Sequence, residues 1–181
     1  MTPSFNSTFG QTVEERLRFE TFLSDLAARL VNIKPEELDG AIQESVEELG
    51  DLLGGDRGGV AQFSEDGRSL HFTHPFAKPG VVTSLFKTDL AAAMPWYGGE
   101  LRAGRSVVLP RIPEGIPENA SDELAFVRDV NMKSHVTLPL RAGCEVVGAL
   151  GVDYLGSSCD WSPEFLPRLE LLASVYANAL Y

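Results

Sequence analysis

The chain holds only two cysteines, Cys144 and Cys159, in 181 residues. Two thiols cannot build a disulfide framework, and their separation matches no metal-ligand spacing. Long apolar runs are missing as well. None approaches the roughly 18 residues of a membrane span, so no membrane association is expected. The opening MTPSFNSTFGQT lacks the basic flank and apolar core of a secretory signal, and residues 1–11 are expected to be disordered. Basic residues are scarce: 15 Lys and Arg stand against 26 Asp and Glu, a formal net charge of −11. With no basic cluster to offset that repulsion, nucleic acid and acidic membrane surfaces are excluded as partners. The acidic residues gather on predicted helices (Glu36, Glu37, Asp39, Glu44, Glu47, Glu48), where they read as solvated faces. A reducing cytoplasm is the expected compartment.

What the sequence does contain is a set of amphipathic helices around short β-branched strands. Thr12 and Glu15 have capping-box spacing and open a helix with an apolar stripe from Val13 to Ile33. Pro35 suits the first position of a second helix, which Gly54 and Gly55 close. Arg57 to Phe63 reads as a strand, Ser64 to Gly67 as a turn, and Arg68 to His74 as the antiparallel return. The Gly58-Gly59 pair marks a bulge or a close backbone approach. Residues 75–121 form a long proline-punctuated connection rich in apolar and aromatic side chains, with a short helix near Tyr97 and a strand at Ser106 to Leu109. Such connections serve as lids or binding loops. Ser121 is read as the N-cap of a helix that Asn131 terminates. Two apolar runs, Val136 to Leu140 and Val146 to Val152, then flank a turn at Gly143, and a last helix starting near Pro163 or Pro167 runs to Tyr181. Residues 12–181 are expected to fold as one domain, without any catalytic motif.

These residues resemble a GAF domain, the small-molecule sensor module of bacterial signalling proteins such as sensor histidine kinases. The likeness is carried by Leu52-Leu-Gly-Gly-Asp-Arg57, Ser64-Glu-Asp-Gly67 leading into Leu70 to His74, Ser134 to Leu140 and Val147 to Val152. The resemblance implies an α+β fold, an α/β/α sandwich with a central antiparallel sheet of five or six strands. The terminal helices would cover one face and the 75–121 segment would close a pocket over the other. It also implies a homodimer through the terminal helices and a downstream effector domain, either a histidine kinase or a transcription activator, so that the chain is a fragment or a stand-alone module. Bilin-binding members carry a Cys-His pair in the helix before the long hairpin. Asp122 and Glu123 stand there, so covalent bilin attachment is not expected and the cofactor stays unknown. Two further readings stand beside the sensor: a ligand-free dimerisation scaffold, and a GAF-type thiol reductase acting through Cys144 or Cys159.

The candidate ligand residues are Phe76, Trp96, Tyr97, Phe126, His135, Thr137 and Asp153. His135 and Thr137, two apart on a strand, share a face and could orient an anion or an amide; the alternative is a histidine satisfied within the core. The four aromatics would line an apolar pocket or simply fill the core under a long loop. Asp153 would meet a ligand or cap the next turn. His71 and His74 are expected on opposite faces of their strand, which excludes joint chelation. Haem ligation by His74 or His135 is the less favoured use of either residue, and no metal site is expected.

Overall fold

The computed structural model describes residues 7–181. A short strand β1 (Ser7–Phe9) leads into helices α1 (Val13–Val31) and α2 (Pro35–Leu53). The Thr12 side chain and the Glu15 carboxylate cap α1 reciprocally, Pro35 opens α2, and Gly54 ends it at φ 69°. Strands β2 (Arg57–Phe63) and β3 (Leu70–Ala77) follow, then a 3₁₀ turn at Ser84–Lys87 and helices α3 (Leu90–Ala93) and α4 (Pro95–Arg102). Strand β4 (Val107–Leu109), helix α5 (Ser121–Asp129), strands β5 (Ser134–Ala142), β6 (Glu145–Tyr154) and β7 (Cys159–Trp161), and helix α6 (Leu166–Leu180) complete the order.

Five strands form one antiparallel sheet in the order β3-β2-β6-β5-β4. Strand alternation divides its side chains between two cores. On one face, Val136, Leu138, Leu140, Leu150 and Val152 meet α2 and α6 through Ile42, Val46, Leu49, Leu169, Leu172 and Tyr176. Helix α1 packs outside α2 and α6, with Phe19 edge-on to Phe165 at 4.7 Å. Each fully buried side chain of this layer contributes roughly 1.5–3 kcal/mol. Buried polar contacts cross this layer, with Ser45 Oγ 3.0 Å from Tyr176 OH and the Tyr154 hydroxyl donating to the Leu53 carbonyl at 3.0 Å. On the other face, Ala61, Leu70 and Ala149 lie under a lid built from α3, α4, α5 and the segment around Ile116.

Several expectations need correction. Residues 7–9 form β1, paired parallel with β7 in a separate two-stranded ribbon, with Phe9 edge-on to Phe165 at 4.8 Å. Residues 1–6 of the expected disordered lead-in lie outside the described residues. Cys159 is buried in β7 instead of lying in a loop. The N-cap of α5 is Ala120, and Ser121 is already helical. The β2–β3 ladder breaks register between Val60 and Ala61, pairing Val60 with His74 and Ala61 with Phe72. This bulge switches the alternation of β3. Leu70 and Phe72 face the lid, whereas His74 and Phe76 join His71 on the helix side. The two histidines therefore share a face, and His74 Nε2 sits 3.4 Å from Asp39 Oδ1.

The glycine pair of β2 is a close backbone approach. A Cβ on Gly59, at φ +135°, would lie 2.1 Å from the His74 carbonyl oxygen. Since the obstructing atom is backbone, Gly59→Ala should cost about 3 kcal/mol or more, whereas Gly40→Ala on exposed α2, with nothing nearby, should gain roughly 0.5–1 kcal/mol. Urea unfolding of the two variants measures both signs.

Candidate functional site

A row of side chains crosses the lid face of the sheet. Arg57 on β2 stands opposite Asp153 on β6, Asp153 opposite His135 on β5, and His135 opposite Leu109 on β4. The register alone therefore brings a guanidinium, a carboxylate and an imidazole together. Arg57 Nε donates to Asp153 Oδ2 at 2.7 Å, and the other carboxylate oxygen lies 2.7 Å from His135 Nδ1. The far ring nitrogen, Nε2, lies 2.5 Å from Thr137 Oγ1, which is 3.1 Å from the Tyr97 hydroxyl. The result is a continuous buried chain from Arg57 to Tyr97.

Burial alone would raise the Asp153 pKa, but the hydrogen bond and charge of His135, reinforced by Arg57, more than offset it and hold the carboxyl below its usual range. Burial, aided by the charge of Asp153, pushes the Tyr97 phenol well above its ordinary value despite its contact with Thr137. Tyr97 is thus a neutral hydroxyl at the end of the chain.

Above this row lies a cavity of about 50 Å³. Gly58, Gly59 and Gly151 form part of its floor, His135 and Asp153 its polar end, and Phe72, Leu85, Leu90 and Ile116 much of its apolar wall. Trp96 and Tyr97 reach it from α4, Phe126 and Val127 from α5. Helix α4 is held in place by a carboxylate from α5: Glu123 Oε1 accepts from the backbone N–H groups of Trp96 at 2.7 Å and Tyr97 at 3.2 Å. That carboxylate satisfies two of the free donors at the start of α4.

Of the residues singled out in the sequence, Trp96, Tyr97, Phe126, His135 and Asp153 line this cavity. Thr137 lies fully buried behind Tyr97, hydrogen-bonded into the row. Phe76 is not part of it. The β2–β3 bulge turns its ring toward α2, where it fills the space beside Gly50. Sequence reasoning missed Arg57 and Glu123. A charged first residue of a strand reads as solvent-facing, and Glu123 reads as an ordinary first-turn acid. The available signal for Arg57 was that it opens a strand with no other charge, between two glycine pairs. Among the described residues no group of three or more His, Cys, Asp or Glu is placed to hold a metal.

The family profile of the GAF domain matches residues 37–180. The chain belongs to the GAF domain family. No curated protein matches it in sequence. Among solved structures, this GAF domain is similar to the phycoerythrobilin-bound GAF domain of a cyanobacterial phytochrome, at 18% identity and a TM-score of 0.72, covering 91% of this chain and 95% of that one. It is similar to the chromophore-binding domain of a bacteriophytochrome from R. palustris, at 17% identity and a TM-score of 0.73, covering 94% and 62%. It is also similar to the free methionine-R-sulfoxide reductase of Neisseria meningitidis in complex with its substrate, at 12% identity and a TM-score of 0.66, covering 99% and 95%. At these identities the likeness is one of fold. No helix among the described residues is long and apolar enough to cross a membrane.

Because the folded Asp153 carboxyl titrates below its unfolded value of about 3.9, its stabilising effect is complete above that pH and is lost as pH falls through the folded pKa. Asp153→Asn should cost roughly 3–5 kcal/mol at pH 7 by leaving Arg57 without its counter-charge, and should flatten the decline of stability below about pH 4. Denaturant titrations across that range test both.

Proposed function

We propose that this GAF domain is the sensory domain of a bacterial signal-transduction protein, binding a small molecule in the cavity under residues 75–121 and signalling through its terminal helices. The observation that carries this reading is the buried polar row ending in an otherwise apolar cavity. A few convergent polar groups at one end of an apolar enclosure are the usual composition of a small-molecule site. Strands β5 and β6 present His135 and Asp153 to the cavity and Val136, Leu138 and Val152 to the helix layer, so a shift of the polar row is felt by α6 on the opposite face. Such a shift changes the population of two helix arrangements only if the ligand binds them with different affinity.

The site supports no enzyme in this reading. Cys144 is exposed at the β5–β6 turn and Cys159 is buried in β7; neither lines the cavity. That arrangement does not support the thiol reductase reading, although one neighbour of similar fold is a methionine sulfoxide reductase. Nor does the bilin chemistry of other neighbours transfer readily. The Cys-His position is occupied by Asp122 and Glu123, and Glu123 is committed to holding α4.

A specific observation favours a second reading, the dimerisation scaffold. At about 50 Å³ the cavity has room for a few waters, well below the roughly 300 Å³ at which drug-sized sites begin. Under the sensor reading the lid is closed and α4 or α5 moves on binding. Both readings share a cytoplasmic homodimer, for which α1 and α6 offer the exposed apolar side chains Val13, Leu17 and Leu171.

A metabolite screen separates them. A ligand at a hundred times its Kd should stabilise the domain by about 2.7 kcal/mol, roughly 5–10 °C in Tm. A scaffold should give no shift with any compound while Leu17→Glu still converts the dimer to monomer in sedimentation experiments.

A further inference from the structure

Four of the side chains that line the cavity are only half-buried: Phe72, Trp96, Phe126 and His135. Three of them are held by directional contacts. Phe72 packs edge-on against Phe86 at 5.0 Å, Phe126 lies under the Arg57 guanidinium at 5.8 Å, and both ring nitrogens of His135 are hydrogen-bonded. The indole of Trp96 makes no hydrogen bond, ion pair or ring contact among the described residues, so packing alone holds it.

Its backbone, by contrast, is fixed. Pro95 locks the preceding φ, Glu123 Oε1 accepts from the N–H groups of Trp96 and Tyr97, and the Tyr97 hydroxyl is tied to Thr137. An indole on a pinned backbone moves by rotation between side-chain rotamers while α4 stays in place. Outside Trp96, at the start of α5, lies a surface depression of about 140 Å³ between Pro95, Asn119, Ser121 and Asp122. Trp96 and Glu123 line both this depression and the cavity. Glu123 is committed to the α4 backbone, which leaves the indole as the movable part of the shared wall.

Neither space alone reaches the roughly 300 Å³ of a small-molecule site, and an outward swing of the indole joins them. We propose that Trp96 is the gate of the ligand site. A ligand enters from the depression at the start of α5, turns the indole aside, places an apolar end in the cavity and leaves its remainder beside Asn119 and Ser121. This rests on the sensor reading given above, which makes the cavity the ligand site.

The probe is xenon, a single atom that suits the cavity as it stands, since small apolar cavities in proteins take it up. Its exchange between solvent and the full chain is timed by xenon-129 NMR. Trp96→Ala should speed entry and exit at least tenfold, whereas Leu90→Ala, which enlarges the cavity at a buried wall, should leave both rates little changed. Phe126→Ala or Leu90→Ala speeding exchange as much as Trp96→Ala would place the entrance elsewhere and overturn the gate. Should Trp96→Ala not fold, Trp96→Phe carries the same expectation with a smaller gain. In the unmutated chain labelled with fluorotryptophan, the Trp96 fluorine signal should show exchange broadening that the buried Trp161 lacks; equal rigidity would also overturn the gate. If xenon stays out, or enters by another route, while a metabolite from the thermal screen stabilises the domain, the gate is wrong and the sensor reading stands. No xenon uptake together with a blank thermal screen would overturn the two together.

Discussion

The ion pair between Arg57 and Asp153 is the contact on which the rest of this structure depends. Two charges enter a region with almost no water, and the desolvation cost of several kcal/mol per ion is only offset if geometry and remaining hydrogen bonds are right. The geometry is met by placing Arg57, Asp153 and His135 in one row across three adjacent strands, and Nε and Nη1 of Arg57 are paired while Nη2 is not. A slip of one residue in either ladder would drive a charge into the helix-side core beside Leu150, Val152 and Tyr176. The pair is therefore a device for register more than for stability. It also reaches the lid, since Arg57 holds the Val82 carbonyl and lies over Phe126.

Everything on the lid face follows from giving that row space. The helix face of β5 and β6 carries branched side chains, while the lid face carries Gly151 and Ala149 beside the polar residues. Gly58 and Gly59 extend the same bare floor onto β2. The lid above is packed and capped: Glu123 ties α5 to the start of α4, and Tyr97 closes the hydrogen-bonded chain from above.

Much of the frame was legible in the sequence because it rests on local rules. The Thr12–Glu15 box, Pro35 at the start of α2, Gly54 after its end and Asn131 at φ 54° are each dictated by residues within one turn. His135 and Thr137 could be placed on one face by period two, and the family resemblance gave the sheet. What escaped depended on partners distant in sequence. The bulge beside Val60 is a property of a ladder, so the sequence of β3 could not show that Phe76 and His74 turn away from the cavity. Arg57 looks like a surface residue until Asp153, 96 positions later, is set against it. Glu123 acquires its role only from Trp96 and Tyr97, and β1 exists only because Cys159–Trp161 offers it an edge.

The central claim is that Arg57, Asp153, His135, Thr137 and Tyr97 form one buried hydrogen-bonded chain that runs through His135. Its Nδ1 faces a carboxylate held below its usual pKa, so that nitrogen carries a proton and donates it to Asp153. Imidazole-selective NMR of the histidine ring nitrogens tests this most directly. The account predicts a far-downfield, slowly exchanging proton bonded to His135 Nδ1 at neutral pH. A ring proton that exchanges at the rate of free solvent, or one found only on Nε2, would contradict it.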